Sequence, residues 1–186
     1  MKRILRSILI ALLALPVIAA LPSCRSHKSQ GKENYDRQIE QLRTGGRHKH
    51  GGSHKDALGM KKRKQIVDEA MSWRGTPYAY GKAEKGKASD CSGMVMSVYE
   101  KVTGIKLPRN SAQQQAFCSR LKKSEVLPGD LVFFATGKDP DKVSHVGIMI
   151  DDDRFVHAST SKGVVVSDAT QPYYQRTFKG FGRVPE

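Results

Sequence analysis

The hydrophobic pattern of this chain changes its period after residue 121, and that change limits the folds open to it. Before this point, apolar residues recur at helical spacing and predict helices near residues 66–73, 91–102 and 111–121. Beyond it, short runs rich in Val, Ile and Phe are separated by turn residues and predict strands at 130–135, 144–150, 154–158, 163–167 and 178–184. Helices followed by strands favour an α+β domain in which N-terminal helices pack on a central antiparallel sheet.

The first 24 residues predict an export signal. A basic start is followed by an apolar stretch at 8–21, which is too short to span a membrane comfortably. It ends at Leu21-Pro22-Ser23-Cys24, which resembles the lipobox of bacterial lipoproteins. We therefore predict a lipoprotein signal peptide at 1–24, with lipid attached to Cys24. The alternative is an ordinary secretory signal with a chance cysteine.

Residues 25–59 are polar and rich in glycine, and they predict a flexible basic tether before a folded domain at 60–186. The formal net charge of the chain is +14, and residues 25–64 hold twelve Lys or Arg against four Asp or Glu. An exported basic segment suits an anionic envelope and argues against nucleic acid as a partner. His48, His50 and His54 could bind a metal, but no acid or cysteine completes a site, so we expect a solvated linker and no metal.

Cys91 stands at the predicted start of a helix, directly after the N-cap residue Asp90. Backbone N–H groups and the helix dipole at such a position favour a thiolate, although the charge of Asp90 opposes it. An exported chain meets an oxidising compartment, so a disulfide between Cys91 and Cys118 is the alternative. We expect Cys91 to be a reduced nucleophile and Cys118 to be a small buried residue of the third helix.

His145 lies within a predicted strand, and His157 follows on the next one after the turn Asp151-Asp152-Asp153. A hairpin would place the two imidazoles on neighbouring antiparallel strands, with Gly147 leaving room beside His145. The first ring could then serve as a base for a thiol, while the second fixes its tautomer and ring plane.

Residues 65–186 resemble the NlpC/P60 domain, a papain-like cysteine peptidase domain of bacterial cell walls. Six stretches carry the resemblance in the order found in that family: 75–81, 89–93, 107–109, 128–134, 144–148 and 155–158. The resemblance implies Cys91 as nucleophile, His145 as general base and His157 as the third polar residue. It also implies that Tyr78 helps to bind the oxyanion, with Tyr80 as the alternative.

The resemblance further implies that Asp90 and Ser92 line the substrate cleft, while Arg109 has a structural role. The loop before Cys91 departs from the family pattern because it is rich in lysine. Its lysines could meet carboxylates of the substrate or could simply be solvated; they are Lys82, Lys85 and Lys87.

These features together predict a lipid-anchored hydrolase of the cell envelope, facing the periplasm or the cell exterior. Its partners would be the membrane and the stem peptides of peptidoglycan, and the chain would be a monomer without a cofactor. The bond cut would join γ-D-glutamate to a diamino acid, or would link two stems. The alternatives are a peptidoglycan-binding module that does not cut and an acyltransferase. A binding module would lack Cys91 or His145, and related acyltransferase folds place the histidine before the cysteine.

Overall fold

The computed structural model describes residues 54–185. The predicted signal segment with Cys24 and most of the predicted tether, including His48 and His50, lie outside the described residues. In chain order the described elements are α1 (His54–Met71), β1 (Ala83–Glu84), β2 (Ala88–Ser89), α2 (Cys91–Thr103), α3 (Ser111–Phe117), β3 (Ser119–Leu121), a 3₁₀ turn (Lys123–Glu125), β4 (Leu131–Phe134), β5 (His145–Met149), β6 (Arg154–Ser159), β7 (Gly163–Asp168), α4 (Pro172–Thr177) and β8 (Phe178–Arg183).

The main sheet has six strands in the order β3-β8-β4-β5-β6-β7, and each neighbouring pair is antiparallel. A separate two-stranded ribbon, β1–β2, lies in the loop before α2. Helices α1 and α2 pack against each other, and α2 lies on β5 and β6. The predicted α+β architecture with helices on an antiparallel sheet is confirmed.

The sheet is covered on both faces by apolar clusters. On the helix side, α1 and α2 bury one apolar cluster that includes Phe133, Val146 and Ile148. On the opposite side, a second cluster forms around Phe134 and Phe155, and α4 covers it. All four residues of β4 are buried, which explains the unbroken apolar run Leu131–Phe134, because a strand covered on both faces has no polar side.

A buried carboxylate joins the two ends of the domain. Asp130, 1% exposed, accepts hydrogen bonds from Arg63 of α1 at 2.8 Å and from Arg183 of β8 at 2.7 and 2.9 Å. Its second oxygen also accepts the Leu127 backbone N–H at 2.8 Å. The first helix and the last strand are thereby fixed to the turn that precedes β4.

Two predicted boundaries differ from the structure. α1 begins at His54, so the helix extends six residues upstream of the predicted start of the domain at residue 60. α3 ends at Phe117 instead of residue 121, and Cys118 has an extended backbone that leads into β3. The helical interpretation of 118–121 was wrong because β3 pairs with β8, a tertiary contact that overrides local propensity. No helix within 54–185 is both long and apolar enough to cross a membrane.

Candidate active site

Cys91 is the first residue of α2, and the helix begins there because Asp90 caps it. The Asp90 carboxylate accepts the Gly93 backbone N–H at 2.7 Å, which satisfies one of the free amides of the first turn. Gly104, with a φ of 77°, ends the helix in the left-handed conformation that glycine favours. The cap thus fixes the thiol at a helix N-terminus, as the sequence predicts, and only 7% of Cys91 is exposed.

The loop before α2 presses directly on its first turn. A Cβ atom at Gly93 would lie 2.4 Å from the Lys82 carbonyl oxygen, closer than real Cβ contacts allow. That carbonyl also accepts the Asp90 backbone N–H at 3.0 Å. The absence of a side chain at position 93 therefore permits the close approach of the loop that carries Tyr78.

Asp90 and Ser92 form one network with Arg109. Arg109 donates to both carboxylate oxygens of Asp90, at 3.0 and 2.6 Å, and to the Ser92 hydroxyl at 3.0 Å. Gly81 donates its backbone N–H to Asp90 at 2.7 Å. Burial acts to raise the pKa of Asp90, but the hydrogen bonds from Arg109, Gly93 and Gly81 hold that pKa below its ordinary value. The carboxylate beside the thiol is therefore ionised and neutralised by Arg109.

His145 and His157 are brought together by the β5–β6 hairpin. His145 Nε2 lies 2.7 Å from His157 Nδ1, and the two ring planes are nearly perpendicular at 89°. A Cβ at Gly147 would lie 2.5 Å from the Phe155 ring and 3.3 Å from the His157 Cβ. The glycine therefore leaves the space that the second imidazole and its neighbour occupy.

The thiol adjoins the strand that carries the first imidazole. Cys91 Sγ lies 4.0 Å from the Ser144 carbonyl oxygen, one residue before His145. Because His145 Nε2 is bonded to His157, its Nδ1 is the nitrogen left to take a proton. Three of the predicted site residues, Cys91, His145 and His157, are thus gathered where α2 meets β5.

Burial favours the neutral form of every member of this group. It raises the pKa of Cys91, although backbone N–H groups of Val146 and Ser92 act in the opposite direction. It lowers the pKa of His145 to about 4. Burial, followed by repulsion from His145, lowers the pKa of His157 to about 3. Burial therefore acts against charge on the thiol and on the imidazole, and so opposes the thiolate that the helix N-terminus alone favours.

Tyr78 and Tyr80 occupy different environments. Tyr78 is half-buried against the cluster that contains Cys91, and its backbone pairs with Ser89. Burial, with the nearby Cys91 and Asp90, raises the pKa of Tyr78, so the phenol keeps its proton and can donate it in a hydrogen bond. Tyr80 is 89% exposed. Of the two alternatives, Tyr78 is the one that lies beside the thiol.

The lysines of this loop are largely engaged elsewhere. Lys85 donates to Glu69 at 3.0 Å and so ties the loop to α1, and Lys87 pairs with Glu84 at 3.2 Å. Within residues 54–185, Lys82 is the one of the three that forms no ion pair. No group of three His, Cys, Asp or Glu in that same range is arranged to hold a metal ion. Cys91 and Cys118 are both free thiols.

Two functional candidates, Ser167 and Tyr174, were missed in the sequence. Ser167 Oγ lies 2.9 Å from His157 Nε2, and Tyr174 Oη lies 3.3 Å from the same nitrogen. Ser167 could have been found, because β7 pairs with β6 and Ser167 stands opposite Phe155, two residues from His157. No sequence pattern indicated Tyr174, because the short helix α4 that carries it was not predicted.

The chain is similar to several known proteins. The model of the NlpC/P60 family matches residues 75–183. Probable endopeptidase NlpC of Escherichia coli K12 is 43% identical over 113 residues, which cover 61% of this chain and 72% of that protein. The Murein DD-endopeptidase MepS/Murein LD-carboxypeptidase of the same strain is 38% identical over 120 residues, which cover 64% of this chain and 62% of that protein.

A solved structure is also similar to this chain. The crystal structure of an NLP/P60 family protein similar to lipoproteins, from Staphylococcus aureus, aligns with a TM-score of 0.61 and 35% sequence identity. The alignment covers 68% of this chain and 42% of the Staphylococcus protein. The similarity therefore extends over about two thirds of this chain but less than half of that larger relative.

Proposed function

The chain belongs to the NlpC/P60 family, and on that premise we propose that it is a peptidoglycan hydrolase with Cys91 as its nucleophile. The relative named a murein DD-endopeptidase supports peptidoglycan as the substrate class. The observation that carries the cysteine mechanism is the ordered set of groups at one place: a thiol at a helix N-terminus, adjoining a strand whose imidazole is bonded to a second imidazole at 2.7 Å.

The first chemical step moves a proton and forms a bond. The Cys91 proton passes to His145 Nδ1 as sulfur attacks the carbonyl carbon of the substrate amide, since burial favours the neutral thiol and imidazole before the attack. The resulting imidazolium keeps its Nε2–H directed at His157 Nδ1. His157 therefore holds the ring of His145 in the plane that faces the thiol.

Negative charge then develops on the carbonyl oxygen. The Cys91 backbone N–H, at the start of α2, and the Tyr78 hydroxyl are the donors that would stabilise it. His145 returns the proton to the leaving amine, which breaks the C–N bond and leaves a thioester on Cys91. Water, deprotonated by His145, hydrolyses that thioester and restores the thiol.

The Asp90–Ser92–Arg109 network borders this site and would shape the cleft that receives the stem peptide. Arg109 is the accessible member, with 42% of its side chain exposed, whereas 5% of the Asp90 side chain is exposed. We propose that the bond cut joins γ-D-glutamate to a diamino acid or links two stems. We also propose that a lipid on Cys24 anchors the enzyme at the envelope as a monomer.

Incubating the full chain, purified in detergent, with peptidoglycan and soluble stem peptides tests the proposal. Mass spectrometry should show new peptide termini with the parent protein and none with Cys91→Ala, a loss of at least about 10³-fold, because the acyl-enzyme cannot form. Cys118→Ala is the matched control, since it removes the other described free thiol, which lies against Gly182 of β8. If the parent protein binds peptidoglycan without cleaving it, the proposed hydrolase activity is contradicted and a binding module is favoured.

A further inference from the structure

The outer nitrogen of His157 is enclosed by two hydroxyl groups from different elements. Ser167 Oγ of β7 is 2.9 Å from His157 Nε2, Tyr174 Oη of α4 is 3.3 Å from it, and the two hydroxyl oxygens are 3.1 Å apart. His157 itself is 2% exposed, so these oxygens take the place of solvent at its outer edge. The bonded row therefore extends from His145 through His157 to Ser167 and Tyr174.

The proton positions along this row decide whether His145 can act as a base. One proton occupies the contact between His145 Nε2 and His157 Nδ1. If His145 donates it, His145 Nδ1 is bare and can accept the Cys91 proton, and His157 must carry its own proton on Nε2. If His157 donates it, His145 carries its proton on Nδ1 and cannot act as a base. The state of His157 Nε2 thus selects between an active and an inactive tautomer.

We propose that Ser167 and Tyr174 are positioning residues that hold His157 in its Nε2–H tautomer and so keep His145 Nδ1 free for the thiol proton. This inference rests on the proposed function for its catalytic consequence. Ser167 Oγ accepts the His157 Nε2–H with one lone pair. The Tyr174 hydroxyl donates to the other lone pair of Ser167, which keeps the phenol proton from being donated to His157.

The surroundings of Tyr174 favour this direction of donation. Its ring stands edge-on to Phe155, with a centroid distance of 4.9 Å and an angle of 90°, which fixes where the hydroxyl lies. Burial raises the pKa of Tyr174, so the phenol remains a donor through the neutral range. Its proton has Ser167 Oγ as an acceptor, and Ser167 in turn has two acceptor positions, one for each neighbour.

The test uses the full chain in detergent, with two kinds of measurement. Ser167→Val and Ser167→Thr are nearly identical in shape, but only threonine keeps the hydroxyl. We expect Ser167→Val to lower kcat on a soluble stem peptide about tenfold to hundredfold with little change in KM, because an unpaired buried Nε2–H favours the inactive tautomer. Ser167→Thr should restore most of kcat. Tyr174→Phe should give a smaller loss, since Ser167 remains.

Proton–nitrogen NMR of ¹⁵N-histidine-labelled protein reads the tautomers directly and needs no turnover. The parent should show both rings as Nε2–H, and Ser167→Val should convert part or all of the pair to Nδ1–H. Exposed neighbours provide controls: Ser161→Ala, in the β6–β7 turn, and Tyr173→Phe, beside Tyr174, should leave kcat and both tautomers unchanged.

The outcomes separate this inference from the proposed function. Unchanged tautomers in Ser167→Val, or a loss of kcat that Ser167→Thr does not restore, would overturn the positioning role even with an active parent. An inactive parent whose tautomers shift in Ser167→Val would refute the proposed hydrolysis and still support the positioning role.

Discussion

Asp90 and Asp130 are both buried carboxylates held by arginine, but they differ in how far along the chain their partners lie. The partners of Asp90 all come from one local stretch, Gly81 to Arg109, around the start of α2. Those of Asp130 include Arg63 and Arg183, which stand at opposite ends of the described chain. The same kind of charge pair thus joins the domain in one place and shapes the site in the other.

This difference predicts which property of the protein changes when each carboxylate is removed. At Asp130, removal of the carboxylate leaves two guanidinium groups of distant elements facing each other, so the whole fold should lose stability. At Asp90, removal affects one helix cap and one loop, so the main effect should fall on the thiol that follows it.

The largest expected effect is that of Asp130→Asn. Breaking this ion-paired cluster should lower the free energy of unfolding by about 3 kcal/mol, because two partly buried arginines lose their carboxylate. Chemical denaturation of parent and variant measures the change, and kcat at temperatures well below the transition should be nearly unaffected. A variant as stable as the parent would contradict the conclusion that Asp130 stabilises the fold by linking α1 and β8.

An intermediate effect should come from the histidines when the pH falls, while Asp90 stays ionised. The pKa values of His145 and His157 are lowered to about 4 and about 3 in the folded chain, against about 6.5 when unfolded. Below pH 6.5 the unfolded chain therefore binds more protons than the folded chain does. The free energy of unfolding consequently decreases as the pH is lowered. At pH 6 the loss should be about 0.8 kcal/mol for each histidine, or about 1.6 kcal/mol for the pair.

Denaturation at pH 7.5 and pH 6 checks this expectation. His157→Gln is the informative control, because it removes one of the two buried imidazoles and should roughly halve the loss between the two pH values. A parent whose stability is the same at both would contradict the neutral, buried state of the pair.

The smallest expected change in stability is that of Asp90→Asn. Asparagine caps a helix as well as aspartate does, and Arg109 is partly screened by solvent, so the free energy of unfolding should fall by only about 1 kcal/mol. The charge of Asp90 raises the pKa of Cys91, so its removal should shift alkylation of the thiol by iodoacetamide to lower pH. Asp130→Asn should leave the pH dependence of Cys91 alkylation unchanged. An equal shift in both variants would contradict the different roles assigned to Asp90 and Asp130.

The sequence could predict the parts of this site that depend on local signals. Asp90 and Gly104 mark both ends of the helix that carries Cys91, and the turn at Asp151–Asp153 implies a hairpin that pairs His145 with His157. These features follow from caps and periodicity within a short stretch. The architecture followed from the order of helices and strands.

The parts that could not be predicted depend on contacts between distant segments. Cys118 stands at the end of a helical pattern, but the pairing of β3 with β8 draws the next residues into the sheet. From the sequence, Lys85 could meet carboxylates of the substrate or be solvated. In the structure it donates a hydrogen bond to Glu69 of α1. Tyr174 meets His157 only because the short helix α4, which the sequence pattern did not predict, packs on the face of the sheet that carries His157.

The missing side chain at Gly93 has a consequence for how such a site can be altered. It lets the Lys82 carbonyl oxygen approach the first turn of α2, so position 93 has no room for a side chain. The turn between β1 and β2, only a few residues away, is exposed and carries Lys85 and Lys87. An engineer who wishes to alter the loop before α2 should therefore vary the length and charge of that exposed turn and leave Gly93 in place.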